Sequence, residues 1–482
     1  MKLSRLLRDV NGGDLCGKPE REITGICSDS RRVGQGSLFV AIPGFQSDGH
    51  QYIRQAMEQG ACAVVAQHAP DCPVPEGVTL ILVDDARRAL AQLAAEWYDH
   101  PERQLRLIGV TGTNGKTTTT WLIRHILEQR GHKCGLIGTN GSIVDGPLRP
   151  AERTTPEAPE LYGLLREMAD AGCEYAAMEV SSHSLVLERV HGLHFAAAAF
   201  TNLTQDHLDF HKDMEHYFQA KALLFQRCDT AVLNLDDDWG LRLAERVSCP
   251  RLTYSAKRLE ADLIAKNIVL LPDQVQAVLV RDNDIARMRL NIPGMFSVYN
   301  GLTAIGCCLA LGLTLEESAQ ALQSAQGICG RAEIVPTGRD FTVMIDYSHT
   351  PDSMENILRT VRGYARGRVV GLFGAGGDRD HAKRPIMGRI AGELCDLCVV
   401  TSDNPRSEEP EAIIRDILQG MSQKHKYKVI PDRREAIAWC IKNARKDDII
   451  VLMGKGQETY QEIRGVKHHL DEREEVRRAL EG

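Results

Sequence analysis

The chain has 482 residues, 43% hydrophobic and 26% charged, enough apolar mass for about three ordinary cores and too much for a disordered chain. Lys and Arg total 58 against 65 Asp and Glu, a formal charge of −7, which excludes a chain-wide basic surface for nucleic acid or anionic membrane. Residues 1–10 interrupt their few apolar side chains with charge, unlike a secretory signal, and no uncharged apolar run reaches membrane-spanning length.

In chain order, strand-like runs at 37–42, 63–66 and 79–83 alternate with helical patterns at 52–59 and 86–98, a small α/β unit. The polar segment 100–104 reads as a linker. Residues 105–118 then run Leu-Arg-Leu-Ile-Gly-Val-Thr-Gly-Thr-Asn-Gly-Lys-Thr-Thr, a buried strand breaking into a glycine-rich turn that opens a helix to about residue 128. This is the pattern of a nucleoside-triphosphate phosphate loop. Backbone N–H groups of Gly112, Thr113, Asn114 and Gly115 can converge on phosphate oxygens, and the helix N-terminus through Thr118 favours the same anion. The ammonium of Lys116 can span two phosphates and Thr117 can ligate Mg²⁺. Val110 replaces the first glycine of the usual motif, and the alternative is a plain strand–helix turn with an exposed lysine.

Further strands are expected at 175–180, 196–200 and 230–234. Glu179 ends the first of these, where an open α/β sheet presents ligand contacts, and its carboxylate suits Mg²⁺; alone, the following Ser-Ser-His-Ser reads equally as a surface turn. The stretch 200–211 crowds Asn202, Asp206, His207, Asp209 and His211. His207 and His211 have the i,i+4 spacing of zinc ligands but no evident third partner, so a nucleotide–magnesium site fits better. Lys221, on an apolar helix pattern at 217–225, reads by itself as a solvated surface lysine. A third α/β unit begins near residue 333, with strands at 342–345, 368–373, 397–400 and 448–452. Cys395 and Cys398 have C-x-x-C spacing but lack a second half-site, and read as core together with Cys307 and Cys308; reduced thiols suit a cytoplasmic chain. Residues 374–379 fail as a dinucleotide turn because the third glycine position is Arg379. The expected fold is α/β in three domains: a small N-terminal one (1–102), a central phosphate-loop domain with a mostly parallel sheet (103–332) and a C-terminal Rossmann-like one (333–482).

Taken together, Ser28-Asp-Ser-Arg, the phosphate loop, Glu179-Val-Ser-Ser-His, the 201–211 block, Ala220-Lys221, Gly330-Arg331, Asp346-Tyr-Ser-His-Thr-Pro, Gly376-Gly-Asp-Arg-Asp and Asp403-Asn-Pro-Arg resemble the Mur ligases of peptidoglycan synthesis, over essentially the whole length. Within that family the match is to the diaminopimelate-adding branch. The resemblance implies an ATP-dependent amide ligase acting on a UDP-muramoyl-dipeptide through an acyl phosphate. It reverses the surface reading of Lys221, which would carry a CO₂-derived carbamate and help hold a second Mg²⁺ with Glu179 and His207. It implies that Ser28, Ser30, Phe45 and Gln46 hold the uridine nucleotide, and that Thr154, Thr155, Ser181 and Arg189 contact the dipeptide. Diaminopimelate would meet Arg379, Asp403, Asn404, Pro405 and Arg406, with Gly454 and Glu458 at its ammonium end. The chemistry agrees, since a guanidinium attracts the distal carboxylate of diaminopimelate and repels the cation of lysine. Leu187, Ser348 and Gln457 depart from common family residues, and tuning is expected from them. Small-molecule substrates, no nucleic acid or membrane partner, and a monomer are the remaining expectations. A folylpolyglutamate synthase-type ligase and a nucleotide switch are the two competing readings.

Overall fold

The structure, a computed structural model, describes every residue except 11–13, 45, 46, 272, 326, 423, 425 and 482. Phe45 and Gln46, expected at the uridine site, therefore lie outside the described residues. The chain forms two compact units: 1–111, 131–198 and 220–229 in the first, and 112–130, 199–219 and 230–482 in the second. Among the described residues no helix is long and apolar enough to cross a membrane.

The first unit opens with β1 (Asp14–Cys16), β2 (Gly25–Cys27), β3 (Ser37–Val40), β4 (Ala63–Ala66) and β5 (Thr79–Leu82), in the order β1-β5-β4-β3-β2. Only β1 is antiparallel. Helix Ala86–Trp97 starts where Asp85 accepts from the Arg87 and Arg88 amides. Its Ala86, Ala89, Leu90 and Leu93, at helical spacing, join one core with Leu38, Val40 and Val65. The unit continues with β6 (Arg106–Thr111), β7 (Cys134–Gly138), β8 (Gly141–Ile143) and β9 (Tyr175–Glu179). β9 lies between β6 and β7, parallel to both. Every residue of β7 and β9 is buried, as expected of parallel strands covered on both faces.

β10 (Phe195–Phe200) and β11 (Cys228–Asn234) each have residues in both units. In the second unit β11 is followed in parallel by β12 (Arg251–Ser255) and β13 (Leu263–Leu270). An antiparallel meander, not among the expected strands, then extends the sheet through β14 (Val275–Arg281) and β15 (Asp284–Leu290). β15 alternates exposed and buried residues along most of its length, the signature of a sheet open to water on one face.

The C-terminal sheet comprises β16 (Glu333–Val335), β17 (Thr342–Asp346), β18 (Val369–Phe373), β19 (Leu397–Val400), β20 (Tyr427–Val429) and β21 (Ile449–Met453), ordered β16-β17-β21-β18-β19-β20. Only β16 is antiparallel. Val369 and Phe373 enter the core on one face while Val370 and Leu372 enter the core on the other, so helices cover both. Cys398 is buried in β19, and Cys307 and Cys308 in helix Met295–Ala310, as core positions. A hairpin, β22 (Tyr460–Ile463) and β23 (Val466–His469), precedes the last helix, Glu472–Glu481.

That last helix is pinned by an ion pair. Arg433 and Glu472 are both fully buried and 2.7 Å apart, and Arg433 also donates to the carbonyls of Ser402 and Met453. Glu472→Ala strands a buried guanidinium, so urea unfolding of the variant is expected to show a loss of about 3–5 kcal/mol. An unchanged midpoint would refute a structural role for the pair.

Candidate functional site

In the second unit, Gly112 and Gly115 both have positive φ, at 141° and 85°. Side chains there are also barred by space. A Cβ on Gly112 would lie 1.9 Å from Thr201 Oγ1, and one on Gly115 2.4 Å from Asn300 Oδ1. The loop is held from the 201–204 segment: Thr113 N donates to Asn202 O at 2.8 Å, Asn114 N to Asn202 Oδ1 at 3.0 Å, and Thr201 Oγ1 to Asn114 O at 2.6 Å. Helix Lys116–Gln129 begins at the lysine. Lys116 Nζ donates to the loop carbonyls of Gly112 and Thr113 at 2.9 and 2.7 Å. Thr117 Oγ1 accepts from Arg331 Nη2 at 3.0 Å, and Asn114 Nδ2 donates to Asp352 Oδ2 at 2.8 Å. Asn114, Asn300, Arg331, Asp346 and Asp352 line a cavity of about 300 Å³ beside the loop. Asp352 is not among the expected site residues; its signal in the sequence is the Thr350-Pro-Asp-Ser capping box that starts helix Pro351–Arg362.

Asp237 lines the same cavity and caps helix Asp238–Ala244, accepting from the amides of Trp239, Gly240 and Leu203. Burial pushes its carboxyl up from 3.8 to about 6 in spite of those donors. A raised acid holds its proton better folded than unfolded, so this group's stabilisation is complete below 3.8 and lost as pH rises through about 6. Asp237→Asn should remove that loss, on the order of 2 kcal/mol, when urea midpoints at pH 4.5 and 7 are compared with the parent protein.

His207 has φ 54° and precedes the short helix Leu208–His211. Asp206 beside it lies 4.0 Å from Lys383. Burial opposes ionisation of Asp206, but the charges of His207, Lys383 and His349 outweigh it and hold the carboxyl well below the usual range. His211 is buried and stacks on Tyr217 with ring centres 4.9 Å apart, so it packs rather than presenting a zinc face with His207.

In the first unit Glu179 is buried at the end of β9. Its Oε1 accepts from Thr139 N at 2.8 Å and its Oε2 from Thr139 Oγ1 at 3.0 Å; Thr139 Oγ1 also meets Thr154 Oγ1 at 3.0 Å. A Cβ at Gly138 would sit 2.3 Å from Glu179 Oε1, so that glycine makes room for the carboxylate. Thr155 Oγ1 donates to Glu179 O at 2.9 Å and accepts from Ser181 N at 3.1 Å. Ser181 caps helix Ser182–Val186, and Ser182 and Ser184 are buried, which overturns the surface-turn reading. Arg189 pairs with Glu157 at 2.8 Å and donates to Thr155 O at 3.2 Å; burial lowers its pKa. Lys221 is 1% exposed on helix Met214–Ala222, so the solvated-lysine reading fails as well. Ser28 follows β2, and Ser30 Oγ donates to Gln55 Oε1 at 3.3 Å.

The third constellation lies beyond the carboxyl ends of β18, β19 and β21, in the second unit. Arg406, at φ 50°, donates Nη1 to Gly377 O at 2.7 Å and Nε to Glu462 Oε2 at 3.2 Å. A Cβ on Gly376 would lie 3.0 Å from Arg406 Nη1 and 3.8 Å from Arg379 Cγ, so both arginines flank that glycine. Asn404 Nδ2 donates to Glu458 Oε2 at 2.9 Å. Gly377 is held against Pro405 O, and Gly454 faces Asp403 Oδ2, each too closely for a side chain. Burial works against ionised Asp403, yet Lys455 and Arg433 keep its carboxyl below the ordinary range.

Comparison with known proteins shows the family. Three family profiles match in order: "Mur ligase family, catalytic domain" at 22–98, "Mur ligase middle domain" at 110–308 and "Mur ligase, glutamate ligase domain" at 330–456. The chain is 43% identical, over 99% of its length and 98% of the relative's, to a UDP-N-acetylmuramoyl-L-alanyl-D-glutamate--2,6-diaminopimelate ligase of Clostridium acetobutylicum.

The chain belongs to the Mur ligase family.

A second Mur ligase of that description, from Gloeobacter violaceus, is 46% identical over 100% of this chain and 98% of the relative. A solved structure of a UDP-N-acetylmuramoyl-L-alanyl-D-glutamate--2,6-diaminopimelate ligase superposes with TM-score 0.69 at 31% identity, covering 100% of this chain and 99% of that one. As a Mur ligase the chain is an enzyme with the three-domain α/β layout of the family. The fold brings many of the expected residues into three clusters: 112–118, held by Thr201, Asn202 and Thr204; Thr154, Thr155, Glu179, Ser181 and Arg189; and Arg379, the 403–406 segment, Gly454 and Glu458. Two fully buried cations beside the last cluster, Arg433 and Lys455, were absent from the sequence reading. Only their tertiary surroundings distinguish them from surface residues.

Proposed function

We propose that this Mur ligase uses ATP to join meso-2,6-diaminopimelate to the D-glutamate of UDP-N-acetylmuramoyl-L-alanyl-D-glutamate, in cytoplasmic synthesis of peptidoglycan precursors. The observation that carries the reading is the pairing of carboxylate-seeking and ammonium-seeking groups around 403–406: Arg406 and Arg379 at one end, Asp403 and Glu458 at the other. We assign the acceptor nucleotide to residues 1–102, ATP to 103–332 and the amino acid to 333–482.

The acceptor carboxylate attacks the γ-phosphorus of ATP; a P–O bond forms, the bond to ADP breaks, and an acyl phosphate results. Lys116 leaves its carbonyl partners for the phosphates, and the loop amides balance charge on the transferred group. The free amine of diaminopimelate then adds to the activated carbonyl, loses a proton and expels inorganic phosphate. Arg189 and Thr155 orient the dipeptide. Thr117 would ligate one Mg²⁺, and Glu179, His207 and Lys221, the last as its carbamate, are the candidate ligands of a second; Mg²⁺ would supply hard positive charge to the phosphates. The Gly138 cradle around Glu179 suits such a donor, and burial of Lys221 works against its ammonium form and toward the neutral amine that can add CO₂.

Phosphate release measured with each substrate omitted in turn tests the reading. Release is expected only when ATP, muramoyl-dipeptide and diaminopimelate are all present. Steady hydrolysis indifferent to both acceptors would mark a nucleotide switch instead.

A further inference from the structure

Lys455 has no solvent exposure. Its Nζ donates to Asn404 Oδ1 and to Glu458 Oε2, both at 2.7 Å, and stands 5.2 Å from the centre of the Tyr460 ring. Asn404 is locked in turn, because its Oδ1 also accepts from Glu462 N at 2.9 Å and its Nδ2 donates to the same Glu458 oxygen. A cation belonging to the protein therefore already sits at the end of the pocket assigned to the substrate's ammonium.

We propose that Lys455 is a positioning residue that sets the charge selectivity of the amino-acid pocket. It occupies one oxygen of Glu458 and orients the other, Oε1, which lies 3.5 Å from Tyr347 Oη, toward a single substrate ammonium. The inference rests on the diaminopimelate reading above. With Lys455 in place, the acidic groups Asp403, Glu458 and Glu462 are partly neutralised, and a zwitterionic substrate end is matched. Without it the pocket is one unit more negative, and a substrate ending in a bare ammonium gains relative to one that also carries a distal carboxylate. Selectivity against lysine thus comes from two places: attraction of the carboxylate by Arg406, and occupation of the acid by the protein's own ammonium.

Full-length Lys455→Met and Lys455→Arg, assayed at saturating ATP and muramoyl-dipeptide, decide the matter. KM for diaminopimelate and the inhibition constant of competing L-lysine are the readouts. In Lys455→Met the preference for diaminopimelate over lysine should fall about tenfold, with KM for ATP unchanged. Lys455→Arg, which keeps the charge, should retain the preference. If the methionine variant does not fold, Lys455→Gln is expected to show the same fall. A folded uncharged variant with unaltered preference overturns the inference and leaves the functional reading intact. Wild-type protein that does not use diaminopimelate overturns both.

Discussion

Lys116→Ala is expected to lower kcat for diaminopimelate addition by about 10³-fold or more. Lys116 Nζ lies 2.7–2.9 Å from two carbonyl oxygens of the loop it follows, and nothing bulkier than glycine fits at Gly112 or Gly115. The loop is also held from Thr201 and Asn202, so removing the lysine should subtract its charge and two hydrogen bonds without collapsing the backbone. A triphosphate transferring its terminal group spreads negative charge over three oxygens, and a half-buried ammonium at that point offsets it. The measurement is steady-state phosphate release together with thermal unfolding. A folded variant with near-normal kcat would sink the assignment of this loop to ATP.

The second large effect is expected at Arg406. Its Nε and Nη1 are engaged by Glu462 and Gly377, which fixes the plane of the guanidinium and leaves Nη2 for a carboxylate. Arg406→Ala should reduce kcat/KM for diaminopimelate about 100-fold, and Arg406→Lys should cost about 1–3 kcal/mol of transition-state binding. KM for ATP should stay near the parent value, because the two sites do not share this side chain. Equal use of diaminopimelate by the alanine variant would contradict the placing of the distal carboxylate here. Lysine should not become a good substrate on this change alone, since Lys455 still occupies Glu458.

Much of this enzyme could be read before any fold was known, where the chemistry is contiguous in the chain. The phosphate loop is one such case: strand β6, two glycines, the lysine and the helix are consecutive, and the structure has the helix starting at Lys116. The runs at 175–179 and 397–400 were legible for a related reason, because strands buried on both faces have to be apolar throughout. The meander was harder: β15 alternates Ala286, Met288 and Leu290 with arginines, the period of a half-buried strand, but β14 breaks that period because Val278 and Val280 fall on its wetter face.

Burial of cations was not legible from the residues themselves. Lys221, Arg433 and Lys455 are each at most 1% exposed, yet in sequence each resembles a solvated residue. Their fates depend on partners far away in the chain: Glu472 for Arg433, and Asn404 for Lys455. Sequence alone determined the covalent order of phosphate loop, Glu179 and the Asp403–Arg406 motif, and with it the fold class, because local spacing and periodicity suffice for those. Tertiary structure decided which charges lose water and which acid answers which cation, because desolvation depends on packing between segments that meet only after the chain has folded.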